Sequence, residues 1–190
     1  MAEADLRPGR GVLLVAKPQL LDPNFVHTVV LLCDHDDRQG TFGFVLNRPS
    51  ENSLAQVLQG DHAFRGRRDT VFLGGPVGLD QLAVVHREAG LPQAMEVLPG
   101  VFVGGDAPML GERVRERKVP EEALRFLVGY SGWGKGQLAR ELEEDAWVLC
   151  AGRTEWVFDR EPRTLWRRVL RSMGGSYGLM ANMPVDPEVN

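Results

Sequence analysis

Residues Val26–Cys33 read VHTVVLLC, residues 34–40 read DHDDRQG, and residues 42–46 read FGFVL. The first run is nearly all apolar and rich in β-branched residues. That pattern suits a strand covered on both faces, because a half-exposed strand would alternate apolar with polar. The polar stretch ends in glycine and leads into a second apolar run, so the three pieces predict a β-hairpin, closed by Asn47-Arg48-Pro49. The fold class turns on what surrounds this hairpin.

Outward toward the N-terminus, residues 1–10 are polar and predict a flexible lead-in, with a single domain over residues 11–190. Val12–Ala16 predicts a strand, and Gln19 to Asn24 a loop set off by Pro18 and Pro23. Toward the C-terminus, Ser53 is placed to cap a short helix through Leu58, with Gly60 ending it. Short strands follow at Val71–Leu73, Leu82–His86 and Val101–Val103, two of them running into double glycines. Pro108 opens a helix to about Arg117. Ala123–Val128 leads into a glycine-rich loop, Gly129–Gln137 (GYSGWGKGQ), before a helix with Leu138 and Leu142 on its buried side. Trp147–Cys150 predicts a strand. Leu165, Val169 and Met173, with Trp166 and Leu170, mark a C-terminal amphipathic helix, and a glycine- and proline-rich tail follows. Hairpins mixed with single helices favour α+β over a regularly alternating parallel fold.

Composition narrows the function classes. The 190 residues are 43% hydrophobic and 25% charged, ordinary for a globular domain, with formal net charge −4. Nucleic-acid binders draw most of their affinity from neutralising phosphates, so this balance argues against nucleic acid. Cys33 and Cys150 each sit inside an apolar run, which predicts buried reduced thiols. No signal core or membrane-length apolar run occurs, and the expected location is the cytoplasm.

The chemical motifs are near misses. Gly129 to Lys135 fits G-x-x-x-x-G-K, but Gly136 stands where a phosphate loop needs a hydroxyl for Mg²⁺. Ser131 sits in a partial nucleophile elbow, yet Trp133 occupies the position that needs glycine. The simplest reading is a tight glycine turn, and the functional alternative is a mild polar-ligand site at the following helix. Asp34-His35-Asp36-Asp37 fails the calcium-loop pattern, because Arg38 and Gln39 stand where a ligand and a glycine belong. His27, His62 and His86 show no metal spacing. The basic clusters at 65–68, 113–118 and 167–171 lie among acidic neighbours and predict solvated faces; no helix pair joined by a three- or four-residue turn marks a helix-turn-helix. No catalytic set, cofactor or metal is expected.

Taken together, residues 11–16, 22–25, 28–32, 43–49, 74–77, 104–106 and 129–138 resemble the AlgH/YqgE family of bacterial proteins, over residues 9 to the end. The block GYSGWGKGQL is the most specific match, although that family usually has alanine at Ser131 and another residue at Lys135. The resemblance implies an α+β fold: a mixed, largely antiparallel split sheet with a small barrel-like part, surrounded by helices. It implies no settled activity, and carries the label of transcriptional regulator. Its motif residues fall here on Asp22, Asn47, Arg48, Pro49, Gly74, Gly75, Pro76, Gly105, Asp106, Gly132, Trp133, Gly134 and Gln137. Such turn formers at strand ends can shape a cleft or hold the fold. The expectation is a non-enzymatic regulatory or interaction protein whose glycine bends meet around one hollow, open to a small polar ligand or a protein partner. The alternatives are an enzyme of unknown class, such as a hydrolase, in the same cleft, and a DNA-binding regulator.

Overall fold

The computed structural model describes residues 6–58 and 63–183. Gly60, His62 and the end of the tail lie outside these residues. The strands are β1 (Val12–Ala16), β2 (Val29–Asp36), β3 (Gly40–Val45), β4 (Pro49–Ser53), β5 (Thr70–Leu73), β6 (Val77–His86), β7 (Ala94–Leu98), β8 (Val101–Gly104), β9 (Leu124–Trp133) and β10 (Trp147–Ala151). The helices are α1 (Leu54–Val57), α2 (Ala107–Arg115), α3 (Gln137–Glu143), α4 (Thr154–Val157), α5 (Pro162–Met173) and α6 (Gly175–Met180). The strands run β10-β1-β2-β3-β9-β6-β8-β7, with β4 and β5 on a side path. Among the described residues every pairing is antiparallel except β5 with β9. The fold is α+β with a split, largely antiparallel sheet.

The hairpin is present, with its first strand displaced: β2 has the expected eight residues but spans Val29–Asp36 in place of Val26–Cys33. After a bulge between Leu32 and Asp34 the ladder continues to Asp36 opposite Gly40, so half of the polar connection belongs to the strand. Both faces of β2 are covered, as its composition required: Leu31 and Cys33 enter one buried cluster, Val30 and Leu32 another. Asn47 to Pro49 does not end the local structure; Pro49 opens β4, which pairs with β5. The sequence reading also missed β7, α4 and α6. Each is short, and β7 (AMEVL) lacks the β-branched run that marked the others.

The larger correction concerns Gly129–Trp133, which is strand, not loop. Residues 126–128 of β9 pair in parallel with β5, while Ser131–Trp133 pair with β3. One strand thus serves both halves of the split sheet. Gly129, at φ +68°, makes the bend where β9 leaves one neighbour for the other. Only Gly134–Gly136 turns, and Gly136 (φ +67°) caps α3.

The sheet curls until its far ends meet. Leu98 of β7 packs beside Gly11 and Gly152, at the ends of β1 and β10, and no Cβ fits at either glycine. Inside this barrel-like part lies the main cluster, with Leu13, Val29, Leu31, Val85, Val101 and Leu127. Helix α5 plugs it with Leu165, Trp166, Val169 and Leu170, and Trp166 Nε1–H donates to Ala16 O at 2.7 Å. A second cluster lies under α2, and a third under α3. Both cysteines are buried in the barrel, where burial pushes the Cys33 thiol far up. No helix among the described residues is long and apolar enough to cross a membrane.

His86 is buried on β6. Its Nε2 bonds Gly104 O at 2.9 Å and its Nδ1 accepts the Glu88 N–H at 3.2 Å, which fits the neutral ring. Burial lowers its pKa below the ordinary 6.5, against smaller opposing effects of Gly104 and Glu88. The unfolded chain therefore binds more protons than the folded one once pH falls below about 6.5, and stability is lost as the pH drops. The urea midpoint should fall between about pH 7.5 and pH 5.5, and His86→Gln should flatten that fall. An equal slope in the variant would assign the effect elsewhere.

Candidate functional site

The motif residues gather in three places. The first is built on the Asp22–Val26 turn. Asp22 Oδ1 accepts the Asn24 N–H at 2.7 Å, and Asp22 O accepts the N–H groups of Phe25 and Val26. Asn47 clamps this turn to β2: its Oδ1 accepts from Val29 N at 2.9 Å and its Nδ2 donates to His27 O at 2.8 Å. The clamp holds His27 at φ +52°, its ring 4.2 Å from that of Trp166 and its buried Nε2 without a hydrogen-bond partner among the described residues. Arg48, next in sequence, is pinned through its carbonyl to Leu73 N–H at 2.8 Å.

Arg48 lines a cleft of about 380 Å³ with Asn24, Val45, Leu73, Gly75, Pro76 and Leu79. Its guanidinium is half-buried and makes one long bond, to Val26 O at 3.3 Å. No carboxylate lies within 4.0 Å of it among the described residues. Burial lowers its pKa, while Asp22, at longer range, raises it. In this lining Leu73 and Leu79 are exposed, Leu79 by 60%. Gly74 and Gly75 shape the floor by lying directly on the backbone of Gly129–Ser131, where a Cβ has no room.

Gly132, Trp133 and Gly134 line a second, polar cleft of about 620 Å³ with the β2–β3 hairpin tip, including Asp34, His35, Asp36, Gln39 and Thr41. Trp133 is buried, and its indole N–H donates to Glu141 Oε2 at 2.8 Å, an oxygen shared with the Trp147 indole. Gln137 supports this corner: its Oε1 accepts from Gly134 N at 3.0 Å and its Nε2 donates to Glu141 Oε1. Gly105 and Asp106 stand apart from both clefts. Asp106 is the N-cap of α2, accepting from Met109 N at 2.8 Å, and Gly105 packs on Leu91 and Ala94. Among the described residues, the motif residues do not line a single shared hollow.

The enzymatic alternative needed a histidine within reach of a hydroxyl or carboxylate, and His35 meets it. Its Nδ1 lies 2.6 Å from Thr41 Oγ1 and its Nε2 3.3 Å from Asp37 Oδ1. Asp37 is 83% exposed, however, and the Gly134 N–H that could have met an oxyanion is taken by Gln137. No group of three or more metal-ligating side chains occurs among the described residues. Two helices joined by four residues do occur, contrary to the sequence reading: α4 and α5. But α4 is a single turn with Trp156 and Val157 buried, and α5 spends its apolar face in the barrel.

The fold has counterparts. The AlgH-like family model matches residues 13–178. The chain belongs to the AlgH-like family. It is 39% identical over 186 residues to a UPF0301 protein of Chlorobium limicola, covering 97% of this chain and 96% of the relative. A UPF0301 protein of Cytophaga hutchinsonii is 38% identical over 183 residues, 95% of this chain and 98% of that one. Among solved structures, protein DIP2367 of Corynebacterium diphtheriae superposes with TM-score 0.77 at 20% identity, covering 94% of each chain. The AlgH protein of Pseudomonas aeruginosa superposes with TM-score 0.70 at 28% identity, covering 92% of this chain and 94% of that one. The half-barrel and its helices are therefore the AlgH-like fold, and none of these relatives carries a named reaction.

The sequence reading missed two features of this AlgH-like chain. Arg125 is a buried cation inside an apolar run, and an arginine in LRFLV was the available signal. The exposure of Leu73 and Leu79 beside Arg48 left no signal, since burial in a folded chain is not written in residue type.

Proposed function

We propose that this chain is a non-catalytic interaction protein whose Arg48 cleft receives a carboxylate carried on an apolar segment of a protein partner. The observation that carries this is a half-buried guanidinium with one long hydrogen bond, in a cleft that it shares with the exposed Leu73 and Leu79. Arginine in a desolvated, apolar setting is the usual anchor of an interface, and its planar fork suits a carboxylate. The exposed Leu73 and Leu79 in the lining call for an apolar surface beside the carboxylate, which a peptide segment supplies. The enzymatic alternative is weaker because His35 has an exposed carboxylate partner and no free oxyanion donor beside it. The DNA-binding alternative is weaker because the net charge is −4.

A photo-reactive phenylalanine analogue at Leu79, expressed in the native host, should give discrete adducts. Arg48→Glu in the same background should reduce their yield by at least tenfold, on the order of a 2 kcal/mol hot spot. Adducts that persist at equal yield, or no adduct at all, would defeat this reading.

A further inference from the structure

Strands β3, β6 and β9 border a cavity of about 480 Å³ lined by Phe42, Phe44, Gln81, Leu82, Ala83, Gly129 and Tyr130. The Phe42 ring stands perpendicular to two others: Phe44, with centroids 6.2 Å apart at 89°, and Tyr130, 6.5 Å apart at 89°. Three rings from two strands thus bound one cavity. Phe42, Ala83 and Tyr130 also pack against the barrel cluster, so the cage rests on rigid sheet. The polar cleft adjoins it and shares Phe42 and Tyr130, bringing Asp34 and Asp36 alongside with no lysine or arginine in either lining. Both acids have other engagements. Asp34 meets Arg10 at 3.1 Å, and Asp36 Oδ1 accepts the N–H groups of Arg38 and Gln39.

We infer that this cavity is a binding site for an alkylated ammonium group, held in the aromatic lining of Phe42, Phe44 and Tyr130. Ring faces carry negative quadrupole charge and attract a cation within about 6 Å. A primary ammonium would bring three N–H donors into a lining whose side-chain acceptors are limited to Gln81 and the Tyr130 hydroxyl. A quaternary ammonium brings none, and its methyl groups fill apolar space. The rest of the molecule would extend toward the hairpin tip, where Asp36 favours positive charge and Asp34 is paired with Arg10. The same head group occurs on free quaternary amines and on methylated lysine side chains. This site does not depend on the Arg48 cleft.

The test is a calorimetric and NMR titration of the intact chain with choline, with its uncharged isostere 3,3-dimethylbutan-1-ol, and with a short peptide containing trimethyl-lysine. At least one of the two cations should bind with shifts at Phe42, Phe44 and Tyr130, and the isostere should bind at least tenfold more weakly. The cation that saturates at lower concentration identifies the source. Phe42→Leu and Tyr130→Leu should each weaken binding by roughly three- to tenfold, checked by thermal melting to be folded. Arg48→Glu should leave it unchanged. Equal binding of the isostere, no shift with either cation, or unchanged affinity in both folded variants would overturn the assignment.

Discussion

Gly75→Ala is expected to destabilise the protein by about 3 kcal/mol or more, the scale of severe overpacking. A Cβ at this position would lie less than 3.0 Å from the Tyr130 carbonyl group and the Ser131 nitrogen. These are backbone atoms of β9, so no side-chain rotation relieves the clash. Relief would mean moving residues 74–76 off β9, close to the β5 ladder and the bond from Gly74 N to Val128 O. Gly90→Ala is the matched control. Gly90 also has positive φ, +74°, but nothing lies within 4 Å of its Cβ position, so about 1 kcal/mol of backbone strain is expected. Urea denaturation of both variants reads the difference. A Gly75→Ala variant no less stable than Gly90→Ala would mean the 74–76 segment is not seated on β9.

Arg125→Ala is expected to cost on the order of 3–4 kcal/mol. The side chain is 5% exposed and lies over the Phe72 ring, 4.1 Å from its centroid. Its Nη1 donates to Leu46 O and its Nη2 to Asp159 O, each at 2.6 Å, joining β9 to the end of β3 and to the turn before α5. Burial pulls its pKa down to about 10, opposed by Asp159, so it remains charged at neutral pH. Truncation removes the donors of two carbonyls and leaves a void beside Phe72. Arg125→Met restores volume without restoring donors, and should recover only part of the loss. If the alanine variant melted with the wild type, the guanidinium would be a bystander to folding.

These two positions show how unevenly the molecule could be read from its residues. The β2 run, the apolar face of α5 and the burial of both cysteines followed from local pattern, because a run or a helical period reports which face is covered. The glycine-rich block did not. Glycine permits turn and strand alike, so GYSGW read as a loop, and its strand identity depends on β3, β5 and β6 approaching close enough to exclude a Cβ. The motif residues were likewise legible as a set and not as a geometry. Asp22, Asn47, Arg48 and Gly75 come together, Gly132 to Gly134 with Gln137 form another corner, and Gly105 with Asp106 serve α2.

Sequence by itself settled the α+β class, the main strands, the C-terminal helix and membership in a family, since each rests on local order of residue types along the chain. Tertiary structure alone decided that β9 bridges both halves of the sheet, that Arg48 faces a cleft without a carboxylate of its own, and that Phe42, Phe44 and Tyr130 surround one cavity. Those outcomes depend on strand register between segments tens of residues apart. A shift of one residue would turn each of these side chains to the opposite face, and no local pattern encodes that choice.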